Sequence, residues 1–392
     1  MTTPAYDAII LGLGAVGSAA IYQLAKRGSR VLGIDQFSPP HDQGSTHGDT
    51  RITRQAIGEG VHYTPLALRS YELFREIEQE TGADLLTVTG GLIISSDDVT
   101  VETHVLGFFE NTIAAAQAYN ISHELLDASE IRHRYPQFLT GDHERAYYEP
   151  GAGFLRPEAC VRAQLTLAER YGAELHRGER AISYARVGDA IELKTDRGTY
   201  GAERLILSAG PWLPEIIAEP YRHIFTIRRQ LLHWFDVTAA ARQFEPVRCP
   251  VFIWQFVGDR AGFYGFPAVD GPAGGIKVAA AQYETPTTPE SADRSVSDVE
   301  EHAMYERCVN GRLADVGPTC LRSLTCLYTC TPDSGFVIDN DPADDRVIIA
   351  SPCSGHGFKH AAAIGEAIAE LVCDGRAHLD LSEFRIDRFA PA

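Results

Sequence analysis

The stretch from Asp7 to Asp35 constrains the fold of this chain more than any other. Asp7 to Leu11 is a short, mostly apolar run that suits a buried strand. Gly12-Leu13-Gly14-Ala15-Val16-Gly17 follows, then a helical stretch from Ser18 to Arg27, then a second strand from Arg30 to Ile34 that ends at Asp35. Gly12 permits a tight turn, Gly14 lets the backbone approach a pyrophosphate, and Gly17 brings helix against strand. The helix N-terminus offers free N–H groups and a positive dipole end to phosphates. Asp35 lies 18 residues past Gly17, where a carboxylate can accept the ribose hydroxyls. Strand, glycine turn, helix, strand and acid in that order specify a dinucleotide-binding unit. An acid at the ribose argues against a 2′-phosphate, which leaves FAD or NAD.

The remainder of the chain bears on that choice. Residues 38 to 60 form a polar, glycine-rich loop too long for a simple connection. Thr64 to Thr81 reads as an amphipathic helix, and Val105 to Ala118 and Val161 to Tyr171 carry helical spacing. Residues 181 to 207 alternate around Asp196-Arg197-Gly198, a hairpin signal, and end in a buried strand. Residues 223 to 283 look sheet-rich, and Ser291 to Gly311 reads as a polar helix. The tail returns to strand (Arg346 to Ala350), glycine loop, and helix (Ala361 to Cys373). A dinucleotide unit opened at the start and resumed at the end is discontinuous. A nicotinamide dehydrogenase more often completes its two halves consecutively, so the order favours flavin.

Composition removes several classes of function. At 392 residues the chain has room for two or three domains, and its 44% hydrophobic and 22% charged residues exclude a disordered or fibrous protein. A formal charge of −18 repels phosphate backbones, so nucleic acid is not expected as a partner. An anionic substrate must therefore meet a local cluster of cations. Eight cysteines are too few for a disulfide scaffold, and they fit free thiols in a reducing cytoplasm. Without a basic leader or a run of about 20 apolar residues, neither secretion nor membrane insertion is expected.

Longer motifs extend the reading. His47-Gly48-Asp49-Thr50-Arg51-Ile52-Thr53-Arg54, Gly58-Glu59-Gly60, Pro65-Leu66-Ala67-Leu68-Arg69-Ser70, Tyr264-Gly265-Phe266-Pro267, Thr331-Pro332-Asp333 and Ser354-Gly355-His356-Gly357-Phe358-Lys359 occur in order along the chain. Together they resemble the monomeric sarcosine oxidase family, which includes N-methyltryptophan oxidase. The resemblance implies an α/β (α+β) fold: a glutathione-reductase-like FAD-binding Rossmann domain with an inserted mixed-β-sheet substrate domain. The expected division is 1–85, 145–220 and 318–392 for the FAD domain, and 86–144 and 221–317 for the substrate domain. The implied activity is oxidation of a secondary or N-methyl amino acid to an imine that hydrolyses, with O2 reduced to H2O2. Family members of this architecture are commonly monomers.

The resemblance also assigns residues. Besides Gly12, Gly14, Gly17 and Asp35, it places Ser45, Thr50, Gly357 and Phe358 at the cofactor, and Cys326 at the position of a thioether to the flavin. Cys320, Cys330 and Cys353 compete for that last role on chemistry alone. Arg54 can grip a substrate carboxylate bidentately and Lys359 can add a point charge, with Gly355 offering backbone where a side chain would collide. A lysine in the first turn of a helix opposes the dipole, so Lys359 calls for an anionic neighbour. That helix start, with His356, would stabilise negative charge on reduced flavin. Lys277 stands in an apolar strand; the family match puts it, with Arg51, on the flavin face where O2 is reduced. Tyr264 and Tyr328 are expected to line the substrate cavity. Two positions depart from the family pattern: Ala281 replaces a histidine and Ile57 an aromatic residue, which implies a different cavity. An FAD dehydrogenase with another acceptor, an NAD-dependent dehydrogenase and a non-catalytic flavin-binding subunit are the competing readings.

Overall fold

The computed structural model describes residues 5–96, 105–239, 241–256 and 262–389. The first four residues, read above for a leader, lie outside this set, as do 240 and 257–261 of the sheet-rich stretch.

The N-terminal unit forms as strand Tyr6–Leu11, helix Ala15–Lys26 and strand Val31–Asp35. The helix begins at Ala15, ahead of the expected Ser18, because Gly14 already occupies the N-cap position; no side chain caps it. Tyr6–Leu11 pairs in parallel with Val31–Asp35 on one side and Thr199–Leu207 on the other. Parallel pairing continues outward to Glu174–Arg177 and to Asp344–Ser351. An antiparallel edge of Ala181–Val187 and Ala190–Thr195, with Val337–Asp341, completes an eight-stranded sheet. The central strands thus end together at Leu11, Asp35, Leu207 and Ser351. In open α/β sheets that edge is where ligands bind.

Helix Ala15–Lys26 packs on this sheet between Pro157–Arg170 and Ala361–Asp374. A Cβ on Gly365 would fall 2.4 Å from that of Ala19, so the last helix crosses the first at a distance only glycine allows. That contact fixes the direction in which the loop ending at Lys359 enters its helix.

A second, nine-stranded sheet is built from the middle of the chain. It includes Gly91–Ser96, Glu144–Glu149, Thr226–Val237, Val251–Gln255, Gly262–Gly265 and Ile276–Ala279. All its pairings are antiparallel except that between Val251–Gln255 and Gly91–Ser96. Val316–Cys330 pairs along its length with Thr226–Val237. Strand pairing therefore places 145–149 and 318–330 in this second sheet, away from the segments with which they were grouped above. A three-stranded sheet of Arg51–Thr53, Leu86–Val88 and Gly153–Leu155 lies beside the site described below.

Elsewhere the sequence reading and the structure differ mainly at element ends. Thr64–Thr81 is a helix closed by Gly82 at φ 72°, as its pattern indicated. The helix expected from Val105 starts at Phe108, because Gly107 is left-handed at φ 69°. The polar segment 291–311 is helical only from Asp298 to Val309. Ser297 and Glu300 form a capping box that sets its start, while upstream Asp293 Oδ1 accepts from the amide and hydroxyl of Ser295 and holds a turn instead.

Candidate active site

A single cavity of about 800 Å3 runs from the C-terminal edge of the first sheet to the face of the second. That is within the usual range of roughly 300–1,000 Å3 for cofactor and ligand pockets. At its first end Gly12 is left-handed at φ 91°, and a Cβ there would sit 2.5 Å from the Ser208 carbonyl oxygen. A Cβ on Gly17 would come within 1.8 Å of the Gly12 carbonyl oxygen, so helix and turn can approach only with glycine at both positions. Gly14 borders the cavity, at the uncapped start of the helix. Asp35 Oδ2 accepts from the Leu13 amide and Oδ1 from the Phe37 amide, both at 2.8 Å. Each carboxylate oxygen keeps a lone pair for a further donor. Burial pushes this carboxyl above its usual range, against the pull of the two amides and of His41. The cradle of glycines, the open helix end and the acid at the strand end fit the phosphates and ribose of FAD.

At the other end the wall is cationic. Arg54 is buried, donates to the Ala56 carbonyl and to Glu59, and its guanidinium lies 4.9 Å from the Phe108 ring centroid. Lys359 Nζ donates to the His356 carbonyl at 2.8 Å and stands 3.8 Å from Glu59 Oε1. His356 Nε2 is 3.1 Å from the Ser334 carbonyl oxygen, an acceptor only, which assigns the ring proton to Nε2. Its Nδ1 is 3.9 Å from Glu59 Oε1. Glu59 is the anionic neighbour that Lys359 required, and it serves Arg54 as well. It was quoted in a motif above, but nothing in the local sequence marks it as the shared counter-charge.

Tyr264 and Tyr328 face each other with hydroxyl oxygens 3.4 Å apart, and burial pushes both phenols up, so both are neutral. Gly355 is left-handed at φ 88°; a Cβ there would meet the Tyr328 ring at 2.8 Å and the Tyr283 hydroxyl at 3.1 Å. Gly357 is held closer still, its Cβ position falling 1.5 Å from the Pro352 carbonyl oxygen. Phe358–His360 form a 3-10 turn, and the helix proper begins at Ala361, so the dipole end lies just beyond Lys359.

Lys277 reaches the same region from behind. Its ammonium donates to the Gly48 carbonyl at 2.6 Å, the Thr50 carbonyl at 2.8 Å and Thr50 Oγ1 at 3.2 Å. It also lies 4.6 Å from the Phe266 ring centroid. Burial pulls this ammonium well below its usual value, with Arg51 adding to the pull. Two carbonyls accept from it, and the Thr50 hydroxyl can accept from the ammonium or donate to the neutral amine. Arg51 donates to the carbonyls of Thr50 at 2.9 Å and Ser45 at 2.7 Å. Ser45 in turn donates to the Leu327 carbonyl, next to Cys326. Burial pushes the Cys326 thiol up, while Arg51 and Lys277 pull it back.

Thirteen of the expected residues border the cavity: Gly12, Gly14, Asp35, Ser45, Arg51, Arg54, Tyr264, Tyr328, Gly355, His356, Gly357, Phe358 and Lys359. Gly17, Thr50, Lys277 and Cys326 lie in the layer behind. Of the two departures, Ala281 borders the cavity but Ile57 is fully buried in the core cluster of the first sheet. Ile57 itself therefore does not line the cavity. Tyr283, which the sequence did not single out, forms part of the wall beside Ala281.

Comparison with known proteins adds to this geometry. Residues 7–371 match the model of the family described as FAD dependent oxidoreductase. A monomeric sarcosine oxidase of Streptomyces avermitilis is 40% identical, over all of this chain and 99% of that protein. This chain belongs to the sarcosine oxidase family of FAD-dependent oxidoreductases. An N-methyl-L-tryptophan oxidase of Yersinia pestis is 34% identical over 98% of the chain and 99% of that protein. Among solved structures, NikD, an amino acid oxidase of nikkomycin biosynthesis, superposes with a TM-score of 0.81 at 21% identity over 98% of both chains. An L-proline dehydrogenase from P. horikoshii gives 0.80 at 22% identity, over 99% of this chain and 98% of that one. The last two show a shared fold. Among the described residues no helix is long and apolar enough to cross a membrane.

Burial pulls Lys359 down to about 8, with Glu59 opposing the fall. The charged form then prevails below that pH and the neutral amine above it. Acetate titrated into the FAD-loaded protein should bind more weakly as pH rises past about 8, by up to about tenfold per unit. Lys359→Met should remove this inflection, and a flat profile in the native protein would refute the assignment.

Proposed function

We propose that this flavoenzyme oxidises a secondary or N-alkyl amino acid at the carbon–nitrogen bond beside its carboxylate, giving an imine that hydrolyses, with O2 leaving as H2O2. The supporting observation is the pair of buried cations, Arg54 and Lys359, that share one carboxylate, Glu59, at the cavity wall. Two cations that share one ion-pair partner at the cavity wall leave room there for a second carboxylate. A substrate acid supplies it.

When bound, FAD accepts the hydride of the substrate C–H and delivers two electrons to O2. The chain's own residues do the rest. Arg54 grips the substrate carboxylate through its planar fork and Lys359 adds a point charge, which fixes the orientation of the adjacent C–H. The neutral phenols of Tyr264 and Tyr328 close the wall without adding charge that would favour a protonated amine. Gly355 leaves the approach open where a side chain would strike Tyr328. Lys277, fixed in its carbonyl cage, and Arg51 supply positive charge that stabilises superoxide as O2 takes its first electron. The same two cations favour thiolate character at Cys326, which supports this thiol as the attachment point of a covalent flavin. We assign the two functional units to the two large sheets, and a monomer in solution.

The deciding experiment is an anaerobic panel of N-methyl, N-alkyl and cyclic amino acids, scored by bleaching of the flavin. At least one should reduce it, and Arg54→Ala should weaken that reaction by about 2–5 kcal/mol in kcat/KM. Failure of every amino acid would favour a non-catalytic flavin-binding role. In Lys277→Met, reoxidation by O2 should collapse while anaerobic reduction survives; unimpaired reoxidation would point to an acceptor other than O2. On acid precipitation the yellow colour should stay in the pellet, and in Cys326→Ala it should pass to the supernatant. Colour released from the native protein would mean a non-covalent cofactor.

A further inference from the structure

We infer that Glu149 is the residue that positions Arg54 for carboxylate binding, acting through the peptide units that follow the arginine. The inference rests on the reading of Arg54 as the substrate anchor and adds the element that aims it. Glu149 ends a strand of the second sheet, opposite Gly91, and is only 1% exposed. It does not border the main cavity. Its Oε1 accepts from the Gln55 amide at 2.7 Å, and its Oε2 accepts from the Ala56 amide at 3.1 Å and the Tyr147 hydroxyl at 3.0 Å. Three donors converge on this side chain, and each of its oxygens takes at least one.

Both amides are held by Glu149, and the carbonyl of the same Ala56, in the next peptide unit, accepts from Arg54 Nη1. The guanidinium is thereby drawn over the Phe108 ring and towards Glu59. Gly58 seals the far end of the same loop: a Cβ there would meet Thr112 Oγ1 at 2.4 Å and the Phe108 carbonyl at 2.5 Å. The direction of Arg54 is thus set by a buried acid of the second sheet. A bidentate contact depends steeply on such aim.

Two effects of Glu149 on the anchor have opposite signs, which makes the role testable. As a nearby negative charge it opposes a substrate carboxylate, so charge removal alone would tighten carboxylate binding. As the holder of the loop it favours that binding, because a glutamine has one acceptor oxygen and turns an NH2 towards donors. Positioning predicts the weaker affinity.

The test uses FAD-loaded native protein, Glu149→Gln and Arg54→Ala, with sarcosine and L-proline as probes and their carboxamides as partners lacking the charge. Half-saturation of anaerobic flavin reduction is measured with the limiting rate, flavin content and Tm. Glu149→Gln should raise half-saturation for the acids about tenfold and leave the limiting rate within about threefold. The carboxamides should be unaffected. Tighter binding of the acids, or equal weakening of acids and carboxamides, would overturn the inference. If Glu149→Gln does not accumulate as holoenzyme, Tyr147→Phe removes one donor only and should give the same selective loss at about threefold; an unselective result overturns it there too. If Arg54→Ala itself keeps its preference for acids, the anchor reading fails and takes this inference with it. A preference lost in Arg54→Ala but kept in Glu149→Gln refutes the positioning role alone.

Discussion

The site depends on keeping positive charge buried in a chain whose net charge is −18. An isolated ion loses several kcal/mol on leaving water, so each buried cation must find compensation inside the protein. Lys277 finds it in two carbonyls and a hydroxyl, with Asp49 and Glu158 acting on it from further off. Burial still pulls its ammonium well below the usual value. Arg54 and Lys359 find it chiefly in Glu59, which both approach, with a carbonyl beside each. The two cationic groups are thus prepared differently: one is held by uncharged acceptors, the other by a shared carboxylate.

Both arrangements are long-range products of the fold. The loop that carries Arg51 and Arg54 leaves the first sheet, but its carbonyls close on Lys277 of the second, and its amides close on Glu149 of the same sheet. Gly48 and Asp49 also present their amides to Glu158, in the first turn of the helix Pro157–Arg170. The loop is therefore fixed from both sides. This accounts for a long, polar stretch that holds one shape without much secondary structure of its own.

What was legible in the sequence follows the range of the interaction that defines each feature. Gly12, Gly14, Gly17 and Asp35 work within one strand–helix–strand unit, so their spacing alone specified the cradle. Lys359 could be seen to need an anion, since a cation at a helix start is a local contradiction, but the identity of Glu59 depended on where a loop 300 residues earlier would lie. Lys277 stood out as a charge in an apolar strand; its cage did not, because it consists of backbone carbonyls. Glu149 and Tyr283 carried no signal, being an acid and an aromatic residue in strand-like surroundings. Ile57 was misplaced for the converse reason: a position three after Arg54 need not share its face in an irregular loop, and here it turns into the core.

The shape of the substrate cavity follows from the one departure that does border it. Ala281 and Tyr283 are two apart and both face the cavity, while the backbone carbonyl and amide of Gln282 between them pair with the Gln230 side-chain amide at 2.6 and 2.8 Å. That exchange fixes the rotation of the segment, so the space opened by the small Ala281 side chain is not taken up by relaxation of its neighbours. Tyr283 bounds the space, with its hydroxyl set against Gly355. The cavity is thus lined by a small side chain at Ala281 and closed by two tyrosines at Gly355. This difference in bulk between its two sides is made by residues outside the cationic wall of Arg54 and Lys359.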